Sequence, residues 1–193
     1  SNCTAGGACT GAGVGPTKID SVFGVSKVYI TRVDRDGASP LTTQMDDEIM
    51  EKIQKKGNEY GATTGRPRRC GWYDAVLNRH AVRVNGLSGV ALTKLDVLDG
   101  LDEVKICTHY DLDGELLSEY PADAITQRRC KPVYETMPGW SESTKGCKTF
   151  DELPETAKDY IKRIELLLNV PVIMVTNGPD RKEYIPINID VIA

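Results

Sequence analysis

This chain has little material for metal or disulfide chemistry. Its six cysteines, at positions 3, 9, 70, 107, 130 and 147, include no Cys-x-x-Cys pair, and only His80 and His109 are there to complete a zinc site. The ligand spacing of structural zinc is therefore missing. In a chain of 193 residues such scattered cysteines are expected to be reduced core fillers rather than a disulfide framework. No apolar run approaches the length that spans a bilayer, and Ser1-Asn2-Cys3-Thr4-Ala5-Gly6-Gly7 lacks the zones of a secretion signal. A cytoplasmic protein away from membranes is expected. Basic excess is lacking too: a formal net charge of −4 argues against a nucleic-acid binder, so the arginines must act locally. No serine or cysteine stands in a nucleophile context.

What is present is an ordinary globular balance, 40% hydrophobic and 27% charged. The length fits one domain over residues 1–193. The chain opens on a glycine-rich stretch, residues 6–16, expected to be flexible, after which Ile19, Val22, Phe23 and Ser26 are spaced for a helix. Residues 28–33 are β-branched and predict a buried strand, and residues 34–40 a loop. Helices are predicted over 45–56, stopped by Gly57, over 72–84, ending near Asn85-Gly86, and over 154–169. Further strands are predicted over 90–96, 104–110, 130–140 and 170–175, with a turn at 111–114. Strands alternate with helices, so the expected fold is α/β, with a mixed, mostly parallel sheet flanked by helices.

Two motifs carry chemistry. The first is Gly61-Ala62-Thr63-Thr64-Gly65-Arg66-Pro67-Arg68-Arg69, a glycine-hinged loop with hydroxyls and three guanidinium groups. Gly61 and Gly65 allow unusual backbone angles and close approach, and a planar guanidinium grips a carboxylate or phosphate with two parallel bonds. A solvated basic turn is the plain alternative. The second is Thr93-Lys94-Leu95-Asp96 at the end of an apolar strand. A carboxylate aligned with guanine accepts from the ring N–H and the exocyclic amine together, whereas adenine offers no such pair. The Lys94 stem can cover base or ribose, with its charge near Asp96. A surface ion pair is the plain alternative here. Thr176, Asn177 and Gly178 also follow an apolar strand, and their backbone amides could cap a base oxygen; a simple strand-to-turn junction explains them equally well. Trp72 and Tyr73 are expected to pack, His80 to be core or rim, and Asp99, Asp102 and Glu103 to be loop or cap residues.

With those residues in view, the chain resembles the adenylosuccinate synthetase family. The resemblance runs in order through residues 1–16, 58–72, 91–101, Pro138-Gly139-Trp140 and Gly178-Pro179-Asp180-Arg181. It departs where Asp34-Arg35-Asp36-Gly37-Ala38-Ser39-Pro40 replaces a Gly-x-Gly-Pro-Phe-Pro-Thr-type stretch. It implies a fold related to P-loop-type nucleotide-binding folds. It further implies a GTP-dependent ligase that joins IMP to L-aspartate with magnesium, as a homodimer. GTP phosphorylates the IMP 6-oxygen, and the aspartate amine then displaces the phosphate. Carried over, Ala62, Thr63, Thr64, Gly65, Arg66, Pro67 and Arg68 form the aspartate loop, with Thr64, Arg66 and Arg68 holding its carboxylates, Arg66 also touching IMP and Arg68 the GTP side. Lys94, Leu95 and Asp96 read guanine together with Thr176, Asn177 and Gly178. The resemblance places the chain at the C-terminal part of such a protein. Catalytic aspartate, catalytic histidine and metal ligands are then not among its residues, and the isolated chain is expected to be inactive. A non-catalytic guanine-nucleotide and anion-binding module is the runner-up, and an RNA-binding arginine loop a third reading.

Overall fold

The computed structural model describes residues 2–33 and 39–192. Most of the predicted loop at 34–40 therefore lies outside the described residues. The glycine-rich start is a helix, α1 (Ala5–Ala12), where flexibility was expected. Caps supply what its three glycines withhold: the Thr4 hydroxyl accepts from the Gly7 amide at 3.2 Å, and Gly13 closes the end at φ 68°. The helix predicted through Ile19 and Ser26 is instead a 3-10 turn, Pro16–Lys18, and a strand, β1 (Phe23–Lys27). Tertiary pairing overrides the spacing, because β1 lies parallel to β5 (Gly89–Thr93), from Phe23 opposite Gly89 to Lys27 opposite Thr93.

The predicted strand at 28–33 bends at Val28 and Tyr29, both fully buried, and resumes as β2 (Ile30–Arg32), antiparallel to β3 (Arg69–Gly71). Between them α2 (Asp47–Gly57) carries acids in its first turn and lysines in its last, as the helix dipole favours. Asn58, at φ 49°, ends it. The helix predicted from Trp72 starts later: β4 (Tyr73–Asp74) comes first, and Asp74 then caps α3 (Ala75–Asn85) by accepting from the Leu77 amide at 3.0 Å. Trp72 and Tyr73 pack in the core as expected.

A long strand, β6 (Leu101–Leu112), turns through Asp113 and Gly114, both at positive φ, into β7 (Glu115–Leu117). After α4 (Ala124–Arg129), β8 (Lys131–Trp140) runs antiparallel to β6. Next come α5 (Glu155–Leu168), β9 (Val172–Thr176) and β10 (Tyr184–Pro186).

Two larger sheets result. The first has the order β1-β5-β9-β10, with β1, β5 and β9 parallel and β10 antiparallel. The second is built on β6, with β7 and β8 antiparallel and β4 parallel to it. The mixed α/β class therefore holds, with a largely antiparallel second sheet that the alternation of elements did not foreshadow. Helix α5 joins the two: Ala157, Tyr160, Ile161, Ile164 and Leu168 are buried in one cluster with Leu92, Val104, Ile106 and Val172. The Tyr160 hydroxyl donates to the Val28 carbonyl at 2.8 Å. Of the six cysteines, Cys9, Cys70, Cys107 and Cys130 are buried. No helix among the described residues is long and apolar enough to cross a membrane.

Candidate functional site

The three parallel strands β1, β5 and β9 end side by side in Lys27, Thr93 and Thr176. Beyond the carboxyl ends of such strands the chain must turn, and side chains and amides left there face a crevice suited to ligands. At the tip of β5 the backbone departs from the predicted strand: Lys94 takes the left-handed conformation, φ 66°, and residues Leu95–Leu98 form a 3-10 turn. The Lys94 amide donates to the Thr176 hydroxyl at 3.1 Å, tying the ends of β5 and β9 together.

This turn separates the side chains of the second motif. Leu95 is fully buried in the core, so only its backbone can reach a ligand. Lys94 does not lie on Asp96 as expected. Its ammonium donates to the Gly57 carbonyl at 2.6 Å and to Glu59 Oε1 at 2.8 Å, because the left-handed turn aims it towards the end of α2. Asp96 is 7% exposed and pairs among the described residues only with Lys145, at 3.8 Å, beyond hydrogen-bond range. Burial raises its carboxyl above the ordinary value, and Lys145 acts against that. The result is a sheltered carboxylate with acceptor capacity to spare.

Lys145 owes its place to Asp99, which sequence reading left as a loop or cap residue. The Asp99 carboxylate accepts from Trp140 Nε1 at 2.7 Å and from the Thr144 amide and hydroxyl at 2.9 Å each. Asn177, 1% exposed, clamps the other side by donating to the carbonyls of Thr144 at 2.7 Å and Cys147 at 3.0 Å. Its own amide donates to the Glu183 carbonyl, so it does not stand ready to cap a base as expected. Asp99→Ala leaves the indole N–H and the buried Thr144 donors unpaired, a loss of about 3 kcal/mol. For a chain of this size it is expected to lower the melting temperature by about 10 °C; a scan within about 2 °C of the parent would show that Asp99 does not hold this segment.

The first motif is a closed loop. The Arg68 amide donates to the Glu59 carbonyl at 2.8 Å, the Gly61 amide to the Arg66 carbonyl at 2.8 Å, and the Gly65 amide to the Gly61 carbonyl at 2.8 Å. Tyr60 and Pro67 bridge its stems. Gly65 sits at φ 63°, which a side chain would strain. Ala62, Thr63, Thr64, Gly65, Arg66 and Pro67 stand in solvent, and Arg66 makes no ion pair among the described residues. Arg69 serves the scaffold, donating to Gln44 at 3.2 Å and to the Ser39 carbonyl at 2.6 Å.

The two motifs meet on a residue that sequence reading did not single out. Glu59, between the Asn58 cap of α2 and the arginine loop, has a carboxylate with no solvent exposure. It accepts from Lys27 at 2.8 and 2.9 Å, Lys94 at 2.8 Å, Arg68 at 2.7 Å and the Tyr29 hydroxyl at 2.6 Å. Burial pushes the acid up, but Lys27, Lys94, Tyr29 and Arg68 outweigh it and bring it down to about 2. It is ionised at any working pH. The available signal was its place in the chain: an acid directly before a loop with three guanidinium groups needs a partner if buried. Lys27 and Lys145 gave no signal, because their roles depend on where β1 and the segment after β8 end. His80 and His109 lie elsewhere, the first against Tyr120 and the second beside Thr108.

Among the described residues no three His, Cys, Asp or Glu side chains gather as a metal site.

The family profile of adenylosuccinate synthetase matches residues 1–185. An adenylosuccinate synthetase of Bifidobacterium longum subsp. infantis is 54% identical over 188 residues, 97% of this chain and 43% of that protein. One from Geobacter sulfurreducens is 51% identical with the same coverage. The structure of fully ligated adenylosuccinate synthetase from Plasmodium falciparum superposes with a TM-score of 0.92 at 40% identity, covering 97% of this chain and 45% of that one. The chain thus spans less than half the length of these relatives.

Proposed function

The chain belongs to the adenylosuccinate synthetase family, and from that premise we propose that it supplies the guanine-reading pocket and the aspartate loop of a GTP-dependent ligase that joins IMP to L-aspartate. The observation that carries this reading is the convergence of both motifs on Glu59, together with a sheltered Asp96 carboxylate that has no hydrogen-bonding cation among the described residues. In this reading Asp96 accepts the ring N–H and exocyclic amine of guanine, and the backbone of Leu95 and Gly178 lines the base. Thr176 holds Lys94 in its turn, and Asn177 holds the segment that brings Lys145 to Asp96. Thr64, Arg66 and Arg68 hold the carboxylates of L-aspartate, in a loop that includes Thr63, and Arg66 reaches IMP. Arg68, anchored on Glu59, faces the GTP side. Gly65, Ala62 and Pro67 shape the loop.

Phosphoryl transfer to the IMP 6-oxygen and displacement by the aspartate amine need general acid–base groups, and in this reading Lys94 and Asp96 are engaged in binding, so those groups come from the remainder of the protein. This chain's part is to bind and orient the nucleotide and amino acid, and magnesium enters with the remainder of the protein. A single domain over 1–193, a homodimer and a cytoplasmic setting belong to the same proposal. Sequence reading set the chain at the C-terminal end; the comparisons fix its share of the relatives' length rather than the end it comes from.

The test is adenylosuccinate formation from IMP, GTP and L-aspartate, followed spectrophotometrically. The full-length protein carrying these residues is expected to be active and the isolated chain inactive. Product from the isolated chain would overturn the assignment of the chemistry to the remainder, and no product from the full-length protein would overturn the ligase reading.

A further inference from the structure

Guanine presents along one edge the 6-oxygen, the ring N–H and the exocyclic amine, an acceptor followed by two donors. Asp96 answers the two donors and leaves the 6-oxygen to another group. The Asn177 amide is not that group, because it already donates to the Glu183 carbonyl at 3.1 Å. A sheltered polar atom left without a partner costs binding, so a site that reads guanine needs a donor beside the carboxylate.

Two ammonium groups stand near Asp96. Lys56, in the last turn of α2, donates to the Asp99 carbonyl at 2.5 Å and is engaged there. Lys145 lies 3.8 Å from Asp96 Oδ2, too far for a hydrogen bond, and its side chain is 58% exposed. It pairs with no other acid among the described residues. A surface ion pair of that kind adds little to stability. Its mounting is nevertheless rigid. Asp99 binds the Thr144 amide and hydroxyl, Asn177 binds the Thr144 carbonyl, and the Lys145 amide donates to the Ser143 hydroxyl at 3.2 Å. The fold thus fixes the root of a side chain whose ammonium hydrogen-bonds no protein group among the described residues.

The place of that ammonium selects its target. With Asp96 Oδ2 on the ring N–H, Lys145 comes opposite the adjoining 6-oxygen, donor to acceptor. With Oδ2 on the exocyclic amine, it would meet the amine's second N–H, donor to donor. Electrostatics favours the first register. We propose that Lys145 is a specificity-determining residue that donates to the 6-oxygen of guanine and completes the reading begun by Asp96. The inference rests on the reading under Proposed function, in which the base at Asp96 is that of GTP.

The test is titration calorimetry of GTP, 6-thio-GTP and ITP into the full-length protein. 6-Thio-GTP keeps both donors and replaces the 6-oxygen with sulfur, a weak acceptor, whereas ITP keeps the 6-oxygen and loses the exocyclic amine. The parent is expected to bind GTP about tenfold more tightly than 6-thio-GTP. Lys145→Met, which keeps the stem and removes the charge, is expected to bring that ratio below about threefold with the GTP-to-ITP ratio unchanged, and Lys145→Arg to restore part of it. The side chain stands largely in solvent, so the variant should fold, and a thermal melt checks it. A merely structural role, or a charge acting on the triphosphate alone, would weaken the three nucleotides equally and leave both ratios as in the parent. That result overturns the inference, as does a parent that does not distinguish GTP from 6-thio-GTP. Either outcome, with the parent still preferring GTP to ITP, leaves the functional reading standing. A parent that binds no GTP, or binds GTP and ITP alike, sinks that reading and this inference with it.

Discussion

Arg66→Leu in the full-length protein is expected to raise the KM for L-aspartate about a hundredfold. A bidentate guanidinium–carboxylate pair contributes about 3 kcal/mol, and about 1.4 kcal/mol is a factor of ten. Stability should hardly move, because Arg66 stands in solvent and makes no ion pair among the described residues. Such surface changes stay within about 0.5 kcal/mol. The KM for GTP should change by less than about threefold. Initial rates at varied L-aspartate, alongside a thermal melt, decide it. An unchanged KM for L-aspartate would remove Arg66 from the amino-acid pocket.

Asp96→Asn should act on the other substrate. Guanine offers two donors on one edge, and a carboxylate accepts both; an amide accepts one and turns its own N–H groups on the second. The KM for GTP is expected to rise about thirtyfold, with L-aspartate little affected, from the loss of about 2 kcal/mol of charge-assisted bonding. ITP lacks the exocyclic amine, so the parent should prefer GTP and the variant should treat the two as nearly equal. Competition between GTP and ITP reads this out. A variant that keeps the parent's preference, or that shifts the same Michaelis constant as Arg66→Leu, would show that the pockets are not separate.

How much of this was legible in the sequence depended on how local the cause was. Helix α2 was readable because Ile49, Met50 and Ile53 repeat at helical spacing, and the stop expected at Gly57 falls one residue short of the cap, Asn58. Helix α5 was readable from the face that Ala157, Tyr160 and Ile161 share. The start of the chain was misread twice. Capping by Thr4 and Gly13 makes a helix of a glycine-rich stretch, and pairing with β5 makes a strand of residues spaced for a helix. Asp96 was found because its chemistry stands in three adjacent letters. Its cation was assigned to Lys94 when Lys145 holds that place, 49 positions on, since the left-handed turn at Lys94 points the nearer lysine elsewhere.

By itself, the sequence determined the α/β class, the two motifs and the residue types fit to grip carboxylates and to read guanine, because periodicity, glycine punctuation and functional-group chemistry are written within a few neighbouring residues. Only the tertiary structure decided that the motifs share one buried carboxylate, that Asp99 and Asn177 hold the segment bearing Lys145, and that β1 closes the site with Lys27. Those facts depend on where strand ends and turns from distant parts of the chain come to rest. A charge finds its partner by position in space, and adjacency in the chain does not prescribe that position.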